Sequence, residues 1–132
     1  MRTLARLIHW LHHHPLILTG LRLGYMAALG LAFWLALQPV SELPIQNFND
    51  KLAHALGLGS LTLAAGVLYP AWSPIRAGGL LLAYGVAIEL AQATVPWRSA
   101  SLGDLLADAV GVLMAVLLLH RYSALRFSRI SM

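Results

Sequence analysis

Three carboxylates, Glu89, Asp104 and Asp108, fall within the single stretch ELAQATVPWRSASLGDLLAD, and the chain holds only two others, Glu42 and Asp50. Each of the three lies in or beside a strongly apolar segment, where an ionisable group costs about 2.5–3.5 kcal/mol on insertion scales and needs a partner or a purpose. Glu89 and Gln92 are one helical turn apart, and Asp104 and Asp108 are four apart and share a helix face. Upstream, Lys51 and His54 are again one turn apart, and Arg98 and Ser101 stand between the carboxylates. These residue types support three kinds of chemistry. Lys51 and Arg98 suit a phosphate or carboxylate, Arg98 by bidentate contact, with Trp97 lining an amphipathic edge. Glu89 near His54 would make a general base and its partner, and His54 with Glu89, Asp104 and Asp108 would make a hard-metal site for hydrolysis or phosphoryl chemistry. No local metal motif such as H-E-x-x-H accompanies them, so the identity of any cofactor stays open. The third option is a register-fixing polar network, although inter-helix polar contacts in membranes average only about 0.6 kcal/mol.

Charge balance narrows how these groups can coexist. Asp50, Glu89, Asp104 and Asp108 face Lys51 and Arg98, an excess of two negative charges when all are ionised and His54 is neutral. Burying that excess is unfavourable, so a protonated carboxyl, a protonated His54 or a bound cation has to relieve it.

The elements that position these residues are read from hydropathy. Of 132 residues, 59% are hydrophobic and 11% charged, with a mean hydropathy of +0.73, which is a membrane composition. Runs this continuously apolar lack the alternation of barrel strands and must satisfy their own backbone hydrogen bonds, so they are helices and the fold is all-α. Four spans are expected: 16 to 37 after Pro15, 51 to 69, 77 to 95, and 102 to 120. Residues 1 to 14 read as a short interfacial amphipathic helix with Leu4, Leu7, Ile8 and Leu11 on one face. His9, His12 and His13 of that segment read as headgroup-facing rather than as metal ligands, because no carboxylate lies close in sequence. The four-helix transmembrane domain covers 15 to 120, and residues 121 to 132 form a basic tail. Gly20, Gly24, Ala28, Ala32 and Ala36 recur every fourth residue, as do Ala107, Gly111 and Ala115, and such rows allow close helix approach either within the bundle or between protomers. Arg22 lies about one turn inside its span and is expected to snorkel to the interface. Asp50 is expected to cap the second span. The absence of cysteine removes disulfide and thiolate chemistry.

Topology then collects the polar residues. Arg2, Arg6, Arg76, Arg121, Arg126 and Arg129 flank one side of the alternating spans, and Lys51 and Arg98 flank the other, which by the positive-inside rule makes both termini cytoplasmic. The basic termini therefore suit anionic lipid headgroups rather than nucleic acid. Lys51, His54, Glu89, Gln92, Asp104 and Asp108 all fall toward the outer face, with Glu89 roughly 9 Å inside the end of its span and Asp108 roughly 6 Å deeper than Asp104.

These residues also resemble a known family. The segments DKLAH at 50 to 54, ELAQ at 89 to 92, Arg98 with Ser101, and DLLADAVG at 104 to 111 are similar, in the same order, to the VanZ-like family of small bacterial membrane proteins. The resemblance covers roughly residues 45 to 120. It implies a four-helix protein of the bacterial inner membrane, in a family named for a member linked to resistance to the glycopeptide teicoplanin. It carries over Lys51, His54, Glu89, Gln92, Arg98 and Asp104 as site residues, and Asp108 stands where the family more often has Asn. The function expected is an outer-leaflet site for an anionic lipid, a lipid-linked envelope precursor or a glycopeptide-type ligand. The alternatives are an intramembrane hydrolase or metal-assisted enzyme using Glu89, His54 and Asp104, and a structural scaffold. The oligomeric state is left open.

Overall fold

Pro15 and Pro74 each occupy the first turn of a helix, where a missing N–H costs nothing and the fixed φ favours the helical start. In the computed structural model, which describes residues 10–11, 13–39 and 49–127, four long helices follow in order: α1 (Pro15–Ala36), α2 (Asp50–Leu68), α3 (Pro74–Gln92) and α4 (Leu102–Phe127). All four are long and apolar enough to cross a membrane, and no strand occurs among the described residues. The interfacial helix expected at 1 to 14 lies largely outside the described residues, and α4 continues past His120 into the segment read as a basic tail. Their outward faces carry Leu16, Leu23, Leu31, Leu90, Leu106 and Leu118, all exposed. That much contiguous apolar surface suits lipid rather than water as the surrounding solvent.

Close backbone approach organises the bundle. Helices α2 and α4 form its most extensive pair, α3 packs on both, and α1 lies more loosely against α2 and α3. At the α2–α4 crossing, a Cβ on Gly111 would collide with the Ala55 carbonyl, and one on Gly59 would stand 3.0 Å from the Gly111 carbonyl oxygen. Gly111 therefore provides the close approach expected of its row. On α1, a Cβ on Gly20 or Gly24 would meet nothing within 4 Å, so no neighbouring helix approaches closely at those two positions within this chain. Around the α2–α4 seam, Leu58, Ala65, Ala77, Leu81 and Val112 make the buried apolar core.

One local expectation is corrected. Asn49, not Asp50, caps α2, its side chain accepting from the Leu52 N–H at 3.2 Å. This leaves the Asp50 carboxylate available for other contacts. Arg22 on α1 reaches the end of α2. Its Nε and Nη2 donate to the Leu68 carbonyl at 3.1 and 2.9 Å, and its guanidinium lies 5.0 Å over the Tyr69 ring. It thus satisfies an orphan carbonyl at the negative end of the α2 dipole. Replacing Arg22 with Ala is expected to cost about 2 kcal/mol, read as a lowered thermal unfolding midpoint in detergent. Lys at this position, lacking the planar fork, recovers only part of the loss. An unchanged midpoint for Arg22→Ala would show that this cap contributes nothing.

Candidate functional site

The opposite end of the bundle from this cap gathers the first two turns of α2, the last turn of α3, the 93–101 loop and the first two turns of α4. Helix α3 ends at Gln92, three residues earlier than expected, because Thr94 and Val95 donate to carbonyls only three positions back and tighten the chain into turns. Glu89 therefore sits in the last turn of its helix. The loop folds over the end of α1, where the Trp97 indole donates to the Leu37 carbonyl at 2.8 Å and Gln92 Nε2 donates to the Ala36 carbonyl at 2.9 Å.

Ser101 caps α4, its hydroxyl oxygen accepting from the Asp104 N–H at 3.4 Å. In a capping box the acidic residue three positions on would reach back to the cap's own N–H. Here Glu89 takes that place from a different helix, its Oε2 accepting from the Ser101 N–H at 2.6 Å. Asp104 is thereby released toward α2, where its Oδ1 lies 3.5 Å from Lys51 Nζ. The lysine stem runs over Gly103, at which a Cβ would stand 3.0 Å from Lys51 Cε. One turn deeper, His54 Nδ1 is 3.1 Å from Asp108 Oδ1. If Asp108 is ionised, Nδ1 is the donor of this bond, and in a neutral imidazole Nε2 is then the acceptor nitrogen. Gly85 makes room for the aspartate, since a Cβ there would stand 2.7 Å from Asp108 Oδ2.

Burial separates these groups. Asp108 is fully buried, Gln92 and Asp104 nearly so, and Glu89 is 7% exposed, whereas Asp50 and Lys51 are exposed. Among the described residues, Glu89 Oε1, Gln92 Oε1, Arg98 Nη1, Asp104 Oδ1 and Asp108 Oδ2 are buried without a hydrogen-bond partner. Native proteins leave few such atoms, so five at one end of a small bundle require an explanation.

Beside them opens a cavity of about 340 Å³. Its walls are Ala32, Leu35 and Ala36 of α1, Gly57, Leu58 and Leu61 of α2, and Ile88 of α3, and its polar lining consists of Asp50, His54 and Arg98. No protein-family model, curated protein or solved structure matches the chain.

The candidate site residues Lys51, His54, Glu89, Gln92, Arg98, Ser101, Asp104 and Asp108 are therefore drawn to one end of the bundle, but in particular pairings. The carboxylate that holds His54 is Asp108, while Glu89 is spent on the α4 cap. Lys51 pairs with Asp104, and the Arg98 guanidinium forms no ion pair among the described residues. Asp50, counted in the charge balance and expected as the α2 cap, instead lines the cavity. Its neighbour Asn49 is an equally good cap by residue type, so only the structure tells which of the two side chains turns to the helix. The apolar cavity wall from α1 carries no sequence signal, because nothing in a lipid-like helix marks the face that lines a cavity.

Proposed function

We propose that this chain is a multi-pass protein of the bacterial inner membrane, VanZ-like in kind and with cytoplasmic termini, whose outer-leaflet cavity binds an anionic amphiphile such as a lipid or lipid-linked envelope precursor. The observation that carries this reading is the cavity of about 340 Å³, apolar along α1, α2 and α3 and ending at Arg98, whose Nη1 is buried with no partner among the described residues. An acyl or isoprenyl chain matches the wall, and a phosphate or carboxylate matches the guanidinium fork. A glycopeptide-type ligand and a link to teicoplanin resistance belong to this proposal through the VanZ-like motifs alone. The scaffold alternative is less well supported, since a network built to fix register would pair Arg98 Nη1, Gln92 Oε1 and Asp108 Oδ2 rather than leave them unbonded.

Native mass spectrometry or scintillation binding in detergent, with phosphatidylglycerol and a polyisoprenyl phosphate against phosphatidylcholine, tests the reading. The anionic ligands are expected to bind preferentially, and Arg98→Ala to weaken them about 10- to 100-fold, the worth of a hydrogen bond to a charged group. Equal binding of zwitterionic and anionic lipids, or an unaffected Arg98→Ala variant, would remove it.

The enzyme alternative is favoured by one specific feature, the dyad of His54 and buried Asp108. A carboxylate on Nδ1 fixes the tautomer and orientation that let Nε2 act as a general base toward water. Within it, Glu89 and Asp104 position α4 and Lys51 rather than relay protons. Hydrolysis of the bound amphiphile, lost in His54→Gln with binding retained, is the result it requires.

A further inference from the structure

Asp50, His54 and Asp104 each bring one ligand-type atom to within 4.8 Å of the others. Two come from the first two turns of α2 and the third from the first turn of α4, so the arrangement is tertiary. Two carboxylate oxygens and one imidazole nitrogen form a mixed hard and borderline set suited to Mn²⁺ or Zn²⁺. Around a common ion at about 2.1 Å, tetrahedral ligands stand about 3.4 Å apart, so modest side-chain closure would complete the site.

Three separate features point to a cation there. Asp104 is 5% exposed, and its Oδ1 is buried without a hydrogen-bond partner among the described residues, facing only the long contact to Lys51. Asp108, which is not part of the trio, holds His54 Nδ1 at 3.1 Å, as an outer carboxylate typically does for a metal-binding imidazole. Finally, the end of the bundle carries four carboxylates, Asp50, Glu89, Asp104 and Asp108, against Lys51 and Arg98, and a divalent ion cancels that excess.

We propose that Asp50, His54 and Asp104 form a binding site for a divalent transition-metal cation of the Mn²⁺ or Zn²⁺ type, with Asp108 orienting His54. The largely exposed Lys51 ammonium occupies Asp104 when the metal is absent and swings away when it binds. The site stands without the amphiphile. With an amphiphile present, the ion would offset the negative charge of Asp50 and Asp104 beside a headgroup held by Arg98.

Tag-free protein in detergent, stripped with chelator and titrated with Mn²⁺ alone by electron paramagnetic resonance, with Zn²⁺ as competitor, provides the test. Binding stoichiometric with the chain is expected. Asp50 is exposed, so Asp50→Asn keeps the fold and should weaken Mn²⁺ by about 10- to 100-fold, the effect of losing a ligand or its outer partner. Asp108→Asn should weaken it in the same range, and Lys51→Gln should strengthen it by freeing Asp104. Absence of stoichiometric Mn²⁺ or Zn²⁺ binding overturns the proposal. So does binding that Asp50→Asn leaves unchanged, or that disappears only when His9, His12 and His13 are replaced. Because no lipid ligand enters the titration, its failure leaves the amphiphile reading standing, and its success does not depend on that reading.

Discussion

Gly111→Ala is expected to prevent assembly of the bundle, with a loss of more than about 3 kcal/mol, at the upper end of overpacking costs. The added methyl would occupy the space of the Ala55 carbonyl, and the obstacle is backbone rather than a side chain able to rotate away. Relief requires α2 and α4 to separate along their whole seam, which strips Leu58, Ala65 and Val112 of the contacts that make the core. It also pulls Lys51 from Asp104 and His54 from Asp108, because both pairs bridge the same two helices. Loss of the monodisperse species in size-exclusion chromatography, with residual helicity by circular dichroism, is the expected readout. Gly20→Ala is the control. Its new methyl meets nothing within 4 Å, and alanine favours a helix over glycine by about 0.5–1 kcal/mol, so that variant should be neutral or slightly stabilised. Similar behaviour of the two variants would mean that the α2–α4 contact is not the close one described.

The second large effect is expected at the buried dyad. His54→Leu should destabilise the chelator-treated protein by about 3–5 kcal/mol, because Asp108 is then left fully buried with no hydrogen-bonded partner. The double variant His54→Leu with Asp108→Leu should recover most of that loss, since replacing both members of a buried pair removes the desolvation cost together with the bond. Denaturant unfolding in mixed micelles, followed by tryptophan fluorescence, measures the complete cycle. If the double variant is as unstable as the single one, the penalty comes from lost packing around His54 and not from an orphaned carboxylate. Neither result touches the binding reading at Arg98, which lies on a loop and holds no helix pair together.

Much of this architecture is legible in the residues themselves. Four apolar runs of suitable length can only be helices in lipid, and one crossing per run forces Lys51, His54, Glu89, Gln92, Asp104 and Asp108 to one end. Helix starts are partly local, as with Pro15 and with Ser101 three residues before Asp104, whereas α3 starts at Pro74, inside the 70 to 76 segment that reads as a turn. The Gly and Ala rows are a less reliable guide. Their spacing says that close approach is permitted, and only the assembled bundle shows that Gly111 uses it while Gly20 and Gly24 do not.

The stretch from Glu89 to Asp108 illustrates the boundary. By itself the sequence determined that its carboxylates lie at the end of two spans, because hydropathy and one-dimensional connectivity are enough to collect them at one end of the bundle. Only the tertiary structure decided which partner each one takes: Glu89 the Ser101 N–H, Asp104 Lys51, and Asp108 His54. It alone turned Asp50 toward His54 and Asp104 by giving the α2 cap to Asn49, and it alone set the apolar face of α1 beside Arg98 to form a cavity. The reason is physical. Partition into lipid depends on each segment's own composition, whereas pairing depends on the rotation and separation of neighbouring helices, which are set by contacts between residues far apart in the chain.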